Sequence, residues 1–180
     1  MATYGLLEKN DIHQWTDFLR TQFHPRCVFA FAESMGAAQL LQSLVTHPNF
    51  CAVAVESPFS TFREIAYDRM GQPFRFGPWI GRTLLRPLVE VAFLRARWKY
   101  GLKMEEISPE DSVAGTTIPV LLIHGEIDSN IPVRHSEAIH QRAPKTQLWE
   151  VPGADHCGAI STAPQEFERR LLAWFHSPPM

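Results

Sequence analysis

The stretch Ala30-Phe31-Ala32-Glu33-Ser34-Met35-Gly36-Ala37 decides how this sequence is interpreted. It follows the apolar run Cys27-Val28-Phe29 and precedes helix-favouring residues, so Ser34 lies at a turn between a buried strand and a helix. Residues two positions before and after the serine are small, as they must be where the strand and helix cross closely. Ala32 departs by one methyl group from the usual Gly-x-Ser-x-Gly spacing. The pattern predicts a nucleophile elbow, which holds a serine hydroxyl at the C-terminal end of a strand.

Two further strand ends supply the partners that a serine nucleophile needs. The apolar strand Ile118–Gly125 is followed by a loop containing Asp128, and the strand Gln147–Val151 is followed by a loop containing His156. Side chains at the carboxyl ends of parallel strands share one edge of the sheet, where open α/β sheets bind ligands. A histidine base activates the serine hydroxyl, and a carboxylate orients the histidine. We therefore predict Ser34 as nucleophile, His156 as general base and Asp128 as orienting acid.

Each of these residues also has an ordinary structural explanation. Ser34 could cap a helix, as serine often does. Asp128 could be a helix cap or a loop residue, and His156 could be a solvated loop histidine. Glu56 lies at another strand end and is a possible substitute acid. The shared order and strand-end placement of the three residues favour the catalytic interpretation over three separate coincidences.

Other titratable residues fit a catalytic role less well. His124 lies inside the third predicted strand, where a structural role is expected. His135 and His140 are five residues apart, which does not place them on one face of a helix. Asp155 neighbours His156 in sequence but is expected to point elsewhere.

Five stretches together resemble the C-terminal two-thirds of the α/β-hydrolase superfamily. The resemblance is closest to single-domain serine esterases and lipases, a branch that overlaps with prolyl-oligopeptidase-type catalytic domains. The matching stretches follow the order of that family and span nearly the whole chain: Thr3-Tyr4-Gly5-x-x-Glu8-x-x-Asp11, Ala32-Glu33-Ser34-Met35-Gly36, Val55-Glu56-Ser57-Pro58-Phe59, Val120-Leu121-Leu122-Ile123-His124-Gly125-Glu126-x-Asp128-x-x-Ile131-Pro132 and Gly153-Ala154-Asp155-His156.

The resemblance implies an α/β class fold, a three-layer and mostly parallel α/β-hydrolase sheet that is N-terminally truncated. We expect four parallel strands, at Cys27–Phe31, Cys51–Glu56, Pro119–His124 and Gln147–Val151. The serine strand would then form an open edge that a second copy of the chain could cover. The backbone N–H of Met35 would supply one donor of the oxyanion hole, and the other would belong to a loop of the missing segment. The chain would thus be a single partial domain over residues 1–180.

Residues 58–115 depart most from the core pattern and are rich in proline, aromatic residues and arginine. In this fold such an insertion forms a helical cap over the active site. Pro87 suits the first turn of a helix that continues through Leu88, Val91 and Leu94. An apolar cap favours an acyl or other apolar substrate group. Basic residues interleaved with apolar ones between Arg82 and Lys99 allow contact with a membrane surface as an alternative.

Composition limits the remaining classes of function. Hydrophobic residues make up 45% of the chain, charged residues 20%, and the net charge is −2, so there is no basic footprint for nucleic acid. The sequence shows no metal-ligand spacing and no phosphate-binding glycine loop, so no cofactor or metal is expected. We expect Cys27 and Cys51 to be reduced packing residues in buried strands, and Cys157 to be oxidation-sensitive if it is exposed. With no recognisable signal peptide, the expected location is cytoplasmic.

The sequence therefore predicts a serine hydrolase that cleaves a small-molecule carboxylic ester through an acyl-enzyme. Two alternatives remain at this stage. One is a serine peptidase, although no cluster for holding a peptide terminus is recognisable. The other is a catalytically impaired hydrolase-like fragment that acts as an interaction module, which the missing oxyanion loop would favour.

Overall fold

The computed structural model describes residues 3–46, 49–72 and 78–176. Its four strands are β1 (Phe29–Glu33), β2 (Ala52–Glu56), β3 (Val120–Gly125) and β4 (Gln147–Val151). Its α-helices are α1 (Glu8–Phe23), α2 (Ser34–Ser43), α3 (Phe62–Gly71), α4 (Pro78–Arg82), α5 (Arg86–Tyr100), α6 (Pro109–Gly115), α7 (Arg134–Arg142), α8 (Ala159–Thr162) and α9 (Pro164–His176). Short 3-10 turns occupy Leu44–Thr46 and Met104–Glu106. Residues 73–77 of the predicted 58–115 insertion lie outside the described residues.

The strands form one parallel sheet in the order β1-β2-β3-β4, which confirms the expected parallel topology. The register places Ala32 beside Val55, Val55 beside Leu122, and Leu122 beside Leu148. All four carboxyl ends therefore point to the same edge. Strand β1 begins two residues later than expected and β2 one residue later, because pairing between them begins at Phe29 and Ala52.

Strand β1 is one of the two edge strands of the described sheet. Within the described residues it pairs with β2 alone, and its side chains alternate between exposed and half-buried. The β2 and β3 side chains are instead buried throughout. Phe29 and Phe31 are each 37% exposed, which agrees with the predicted apolar edge at the serine strand. Coverage of that edge by a second copy of the chain stays a prediction.

Helices cover both faces of the sheet, so the core has two halves. On one face Leu41 of α2 and Ile139 of α7 pack against Val53 and Leu122. On the other face Phe167 and Trp174 of α9 pack with Ala54 and Ile123. The Trp174 indole N–H donates to the carbonyl of Val53 at 2.9 Å, which satisfies its polar atom inside this apolar layer. The alternating inward positions of the strands thus give a three-layer arrangement.

Helices α3 and α5 form a smaller apolar cluster outside these layers. Tyr67, Val89 and Phe93 are buried in it, and the rings of Phe62 and Phe93 stack with centroids 5.8 Å apart. Pro87 lies in the first turn of α5, as expected, because a proline there sacrifices no helical hydrogen bond. In the described ranges no helix combines the length and the apolar composition needed to cross a lipid bilayer.

The prediction that Cys27 and Cys51 are reduced and buried is wrong. The two residues form a disulfide, with Cα atoms 5.6 Å apart. Both precede the strands rather than lying inside them, and Cys27 is exposed while Cys51 is half-buried. The Cys51 N–H donates to the carbonyl of Val28 at 2.9 Å, so the start of β1–β2 pairing brings the cysteines together.

Candidate active site

Ser34 lies where β1 ends and α2 begins. Its φ is +52°, a left-handed conformation that non-glycine residues adopt rarely and mostly at functional sites. A Cβ added to Gly36 would lie 3.8 Å from the Cβ of Ala32, which is an ordinary contact. The crossing of β1 and α2 therefore leaves room for one methyl group on Gly36. The sequence instead predicts that a side chain there would collide with the strand. The turn itself has the strained geometry expected of a nucleophile elbow.

The structure brings the three predicted site residues together. The Oγ of Ser34 lies 2.8 Å from Nε2 of His156. The Nδ1 of His156 lies 2.9 Å from Oδ2 of Asp128 and 3.2 Å from Oδ1. With Nδ1 donating to the carboxylate, Nε2 is left to accept the hydroxyl proton of Ser34. The start of α2 and the loops after β3 and β4 thus contribute to one continuous chain of hydrogen bonds at the carboxyl edge of the sheet.

Asp128 is buried and receives hydrogen bonds from several directions. Its Oδ1 accepts the backbone N–H groups of Asn130 at 2.9 Å and Ile131 at 2.8 Å. Its Oδ2 accepts the hydroxyl of Ser57 at 2.8 Å as well as Nδ1 of His156. The carboxylate is therefore held in one orientation, as a group that positions an imidazole requires.

Opposing effects act on the pKa of Asp128. Burial alone raises that pKa, but hydrogen bonds from His124, the Ile131 N–H, His156 and Ser57 outweigh burial and hold it well below its usual range. The carboxyl is therefore an anion at neutral pH. An anion at this position is what stabilises a neighbouring imidazolium.

His124 supports the Asp128 loop from inside the fold. It is fully buried, with Nδ1 2.7 Å from Oγ of Ser136 and Nε2 2.7 Å from the carbonyl of Ile131. Its Nε2 also lies 3.4 Å from Asp128 Oδ2. These contacts agree with the structural role expected of a histidine within the third strand.

Glu56, the possible substitute acid, has a different partner. Its Oε1 accepts the backbone N–H of Ala159 at 2.8 Å, and the side chain is fully buried. Burial raises the pKa of this carboxyl, partly offset by that hydrogen bond. In the described part of the chain its second oxygen has no hydrogen-bond partner. The carboxylate that contacts His156 is that of Asp128, so the geometry favours Asp128 as the orienting acid.

The remaining polar residues lie apart from the serine. Asp155 Oδ1 accepts the backbone N–H groups of Ser129 and His156, each at 2.8 Å, and so ties the two site loops together. His135 is buried with Nε2 2.9 Å from Oδ2 of Asp68, and His140 contacts the hydroxyl of Thr146. Within the described residues no group of three or more His, Cys, Asp or Glu side chains is arranged to hold a metal ion.

Ser57 is a further residue of this site, and the sequence did not reveal its contacts. This residue follows β2 directly, has a φ of +51°, and is fully buried. Its hydroxyl donates to Asp128 and accepts the backbone N–H of Cys157 at 3.3 Å. Its position at a strand end, on the same sheet edge as Ser34, could have indicated a contact with the site. Serine after a strand is, however, usually a turn residue.

Cys157 has little thiolate character. Burial and the nearby carboxylates of Glu56 and Glu33 raise the pKa of its thiol to about 11. Because the thiolate is the form that reacts, this half-buried cysteine is poorly suited to oxidation at neutral pH.

An apolar cavity of about 740 Å³ opens beside Ser34. Helices α3 and α5 form its outer walls, and the side chains that line it include Met35, Phe59, Phe62, Phe93 and Ile131. The backbone N–H of Met35 lies in the first turn of α2, where helical N–H groups have no acceptor within the helix. The site thus combines a serine hydroxyl, a backbone donor without an acceptor in its helix, and an apolar cavity.

No protein-family model matches this chain. A curated relative, the uncharacterized protein YqkD of Bacillus subtilis, is 28% identical over 160 residues that cover 86% of this chain and 50% of that protein. The chain spans about half the length of the curated relatives it matches.

Two solved structures show the same architecture. The esterase Pf2001 of Pyrococcus furiosus superposes with a TM-score of 0.67 at 18% identity, covering 95% of this chain and 62% of the esterase. A puromycin-hydrolyzing peptidase of Mycobacterium tuberculosis superposes with a TM-score of 0.69 at 21% identity, covering 97% of this chain and 26% of the peptidase. The chain therefore has the α/β-hydrolase fold, as the sequence predicted.

Proposed function

We propose that this protein is a serine hydrolase that cleaves carboxylic esters through an acyl-enzyme. The observation that supports this most directly is the unbroken Ser34–His156–Asp128 chain of hydrogen bonds beside an apolar cavity. An esterase and a peptidase among the structures of the same fold make a hydrolase the natural class. Most side chains that line the cavity are apolar, so an ester with an apolar acyl group is the proposed substrate.

The proposed reaction proceeds in two halves. His156 Nε2 takes the Ser34 proton as Oγ attacks the ester carbonyl, and a tetrahedral oxyanion forms. The C–O bond then breaks, and the alcohol leaves with the proton from Nε2. In the second half His156 takes a proton from water, water attacks the acyl-enzyme, and Ser34 regains its proton as the carboxylic acid departs. Asp128 stays ionised throughout and stabilises the imidazolium.

The Met35 N–H is the proposed oxyanion donor within this chain. It follows the nucleophile directly and belongs to a helix N-terminus, which favours negative charge. One such donor is worth roughly a hundred- to a thousand-fold in turnover. The second donor stays assigned, as a proposal, to a loop outside this sequence.

The helices beyond the sheet are proposed to act as a cap. Helices α3 and α5 of the 58–115 insertion form walls of the cavity that contains Ser34. A wall of this kind excludes water and accommodates an apolar acyl group. The cytoplasmic location also stays a prediction, and the Cys27–Cys51 disulfide weighs against it, because disulfides are rare in reducing compartments.

Covalent labelling with a fluorophosphonate probe tests this proposal. We expect the folded protein to be labelled on Ser34 alone by peptide mapping, and Ser34→Ala to abolish labelling. Asp128→Asn should slow labelling and the hydrolysis of p-nitrophenyl esters by roughly 10³- to 10⁴-fold. Ser112→Ala, in the distant helix α6, is the matched control and should label like the wild type. A folded chain that shows no labelling would contradict the proposal.

A further inference from the structure

The outer face of α5 exposes a row of large apolar side chains. Leu88, Val91, Leu94 and Trp98 are 56%, 61%, 68% and 87% exposed. Their spacings of three, three and four residues place them along one side of the helix. We call these four residues the α5 stripe. Single exposed apolar residues are common on proteins, but a contiguous row marks a surface that contacts something apolar.

The opposite face of the same helix already has its packing partners. Val89 and Phe93 are buried against the α3 cluster that contains Tyr67. Helix α5 is therefore apolar on two sides, and only the side with Val89 and Phe93 packs against the rest of the described fold. The α5 stripe contributes nothing to the described core.

Positive charge accompanies the stripe. Helix α5 contains four cationic side chains and one carboxylate, whereas the whole chain has a net charge of −2. Arg97 pairs with Glu105 at 3.3 Å, and Glu90 pairs with Arg63 at 3.4 Å.

Two of these cations lie directly beside the stripe. Arg95 follows Leu94, and Lys99 follows Trp98. In the described ranges neither has a carboxylate within ion-pair distance, and both are exposed. They remain available to an anionic partner.

The stripe itself includes an aromatic residue of the type found at membrane surfaces. Trp98 is 87% exposed, more than any other residue of the stripe. Tryptophan and tyrosine favour the boundary between apolar chains and polar headgroups, because their rings are apolar and their N–H or O–H groups are polar.

The stripe is continuous with the cavity. Leu88 and Val91 line the cavity beside Ser34, and so does Arg95. A surface seated on the stripe would therefore lie at the wall of that cavity.

We propose that the α5 stripe binds an anionic lipid surface. Apolar side chains would enter the acyl boundary while Arg95 and Lys99 contact acidic headgroups, as in helices that lie in the plane of a membrane. Symmetric pairing of two copies through this face fits less well, because it would bring the cations of both copies together. The inference rests on the surface alone and does not require the proposed catalysis.

Co-sedimentation with vesicles tests this binding. We expect the protein to sediment with phosphatidylcholine vesicles containing about 30 mol% phosphatidylserine and to be released by raised salt. Leu94→Glu and Trp98→Glu should each weaken the partition at least roughly tenfold. Leu172→Glu in α9 and Trp15→Glu in α1 are matched controls, since they place the same charge on exposed apolar sites elsewhere, and should bind like the wild type. Lys99→Gln should weaken binding by roughly fivefold.

The outcomes separate this inference from the proposed function. Ser34→Ala should bind vesicles like the wild type, so a failure of catalysis leaves the vesicle result unaffected. Equal binding to pure phosphatidylcholine would overturn the anionic surface as the partner. A dimer that Leu94→Glu dissociates, with no sedimentation on vesicles, would assign the stripe to a second copy instead. Unchanged sedimentation of both glutamate variants would also overturn the inference.

Discussion

The Ser57 hydroxyl donates a 2.8 Å hydrogen bond to Oδ2 of Asp128, and both side chains are buried. The same hydroxyl accepts the N–H of Cys157 at 3.3 Å. One serine therefore connects the end of β2 to the loops that position Asp128 and His156. This connection is independent of the direct contact between the aspartate and the histidine.

Replacement of Ser57 by alanine should slow catalysis without preventing folding. Alanine keeps the Cβ, so the strain at this positive φ is unchanged and the variant removes only the hydroxyl. A hydrogen bond to a charged group is worth about 1.5–3 kcal/mol, so we expect kcat for p-nitrophenyl esters to fall at least roughly tenfold, with KM little changed. Ser112→Ala, which removes a hydroxyl of α6 that contacts the Ser108 carbonyl, is the control. Equal kinetics in both variants would show that Ser57 does not position Asp128.

Glu56 should make stability depend on pH. Its folded-state pKa is raised, chiefly by burial, so the folded protein holds a proton that the unfolded chain releases. Below the unfolded pKa of about 4.3 the carboxyl is protonated in both states, and its contribution to the free energy of unfolding is fully present. That contribution is lost as pH rises through the folded pKa, because the unfolded chain releases the proton first.

Glu56→Gln should remove that pH dependence while its amide oxygen still accepts the Ala159 N–H. Urea unfolding followed from pH 4 to pH 9 measures it. We expect the free energy of unfolding of the wild type to fall relative to that of the variant as pH increases. Glu150→Gln, at an exposed site on β4, is the control. A constant difference across this range would contradict the raised pKa.

The loops of the candidate site were predictable because their signals are local. A small-x-Ser-x-Gly turn, and strands that end in loops with Asp128 and His156, can be recognised from short stretches of sequence. The disulfide depends instead on register, since Cys27 and Cys51 meet only because pairing begins at Phe29 and Ala52. Nothing near either cysteine specifies that alignment.

The role of Ser57 was hidden for a similar reason. Its hydroxyl acts on a residue 71 positions away, and a serine after a strand is most often a turn residue. The exposure of the α5 stripe was equally out of reach. Val89 and Leu88 are neighbours of the same chemical type, and only the packing of α3 decides which of them is buried.

The Cys27–Cys51 disulfide should stabilise the fold without affecting the site. It closes a loop across a sequence separation of 24, for which the chain-entropy account predicts about 3.5 kcal/mol. The cysteines precede β1 and β2, at the opposite sheet edge from Ser34. We expect the Cys27→Ala/Cys51→Ala variant to unfold at lower urea concentration while its rate of fluorophosphonate labelling stays within about twofold of the wild type.

Thiol titration checks the bond itself. The chain has three cysteines, so the unfolded oxidised protein should show one reactive thiol and the reduced protein three. Cys157→Ala is the control, and its unfolded oxidised form should show none. Three thiols in the purified, unreduced protein would contradict the disulfide.

Gly125 should be the least replaceable glycine near the site. A Cβ at this position would lie 2.6 Å from the carbonyl oxygen of Asp155 and closer still to that of Ala154. Both atoms belong to the backbone, so the loop that follows β4 must move to admit a methyl group. That loop positions His156, and a displacement of about 1 Å costs on the order of a hundredfold in rate. We therefore expect Gly125→Ala to reduce kcat/KM for p-nitrophenyl esters at least a hundredfold.

Gly115→Ala is the matched control for this prediction. A Cβ on Gly115 at the end of α6 meets no atom within 4 Å, so the variant makes the same chemical change without a steric conflict. It should keep full activity and stability. Circular dichroism and urea unfolding on both variants separate a displaced loop from a failure to fold. A Gly125→Ala protein with wild-type kinetics would show that the His156 loop does not depend on this close approach.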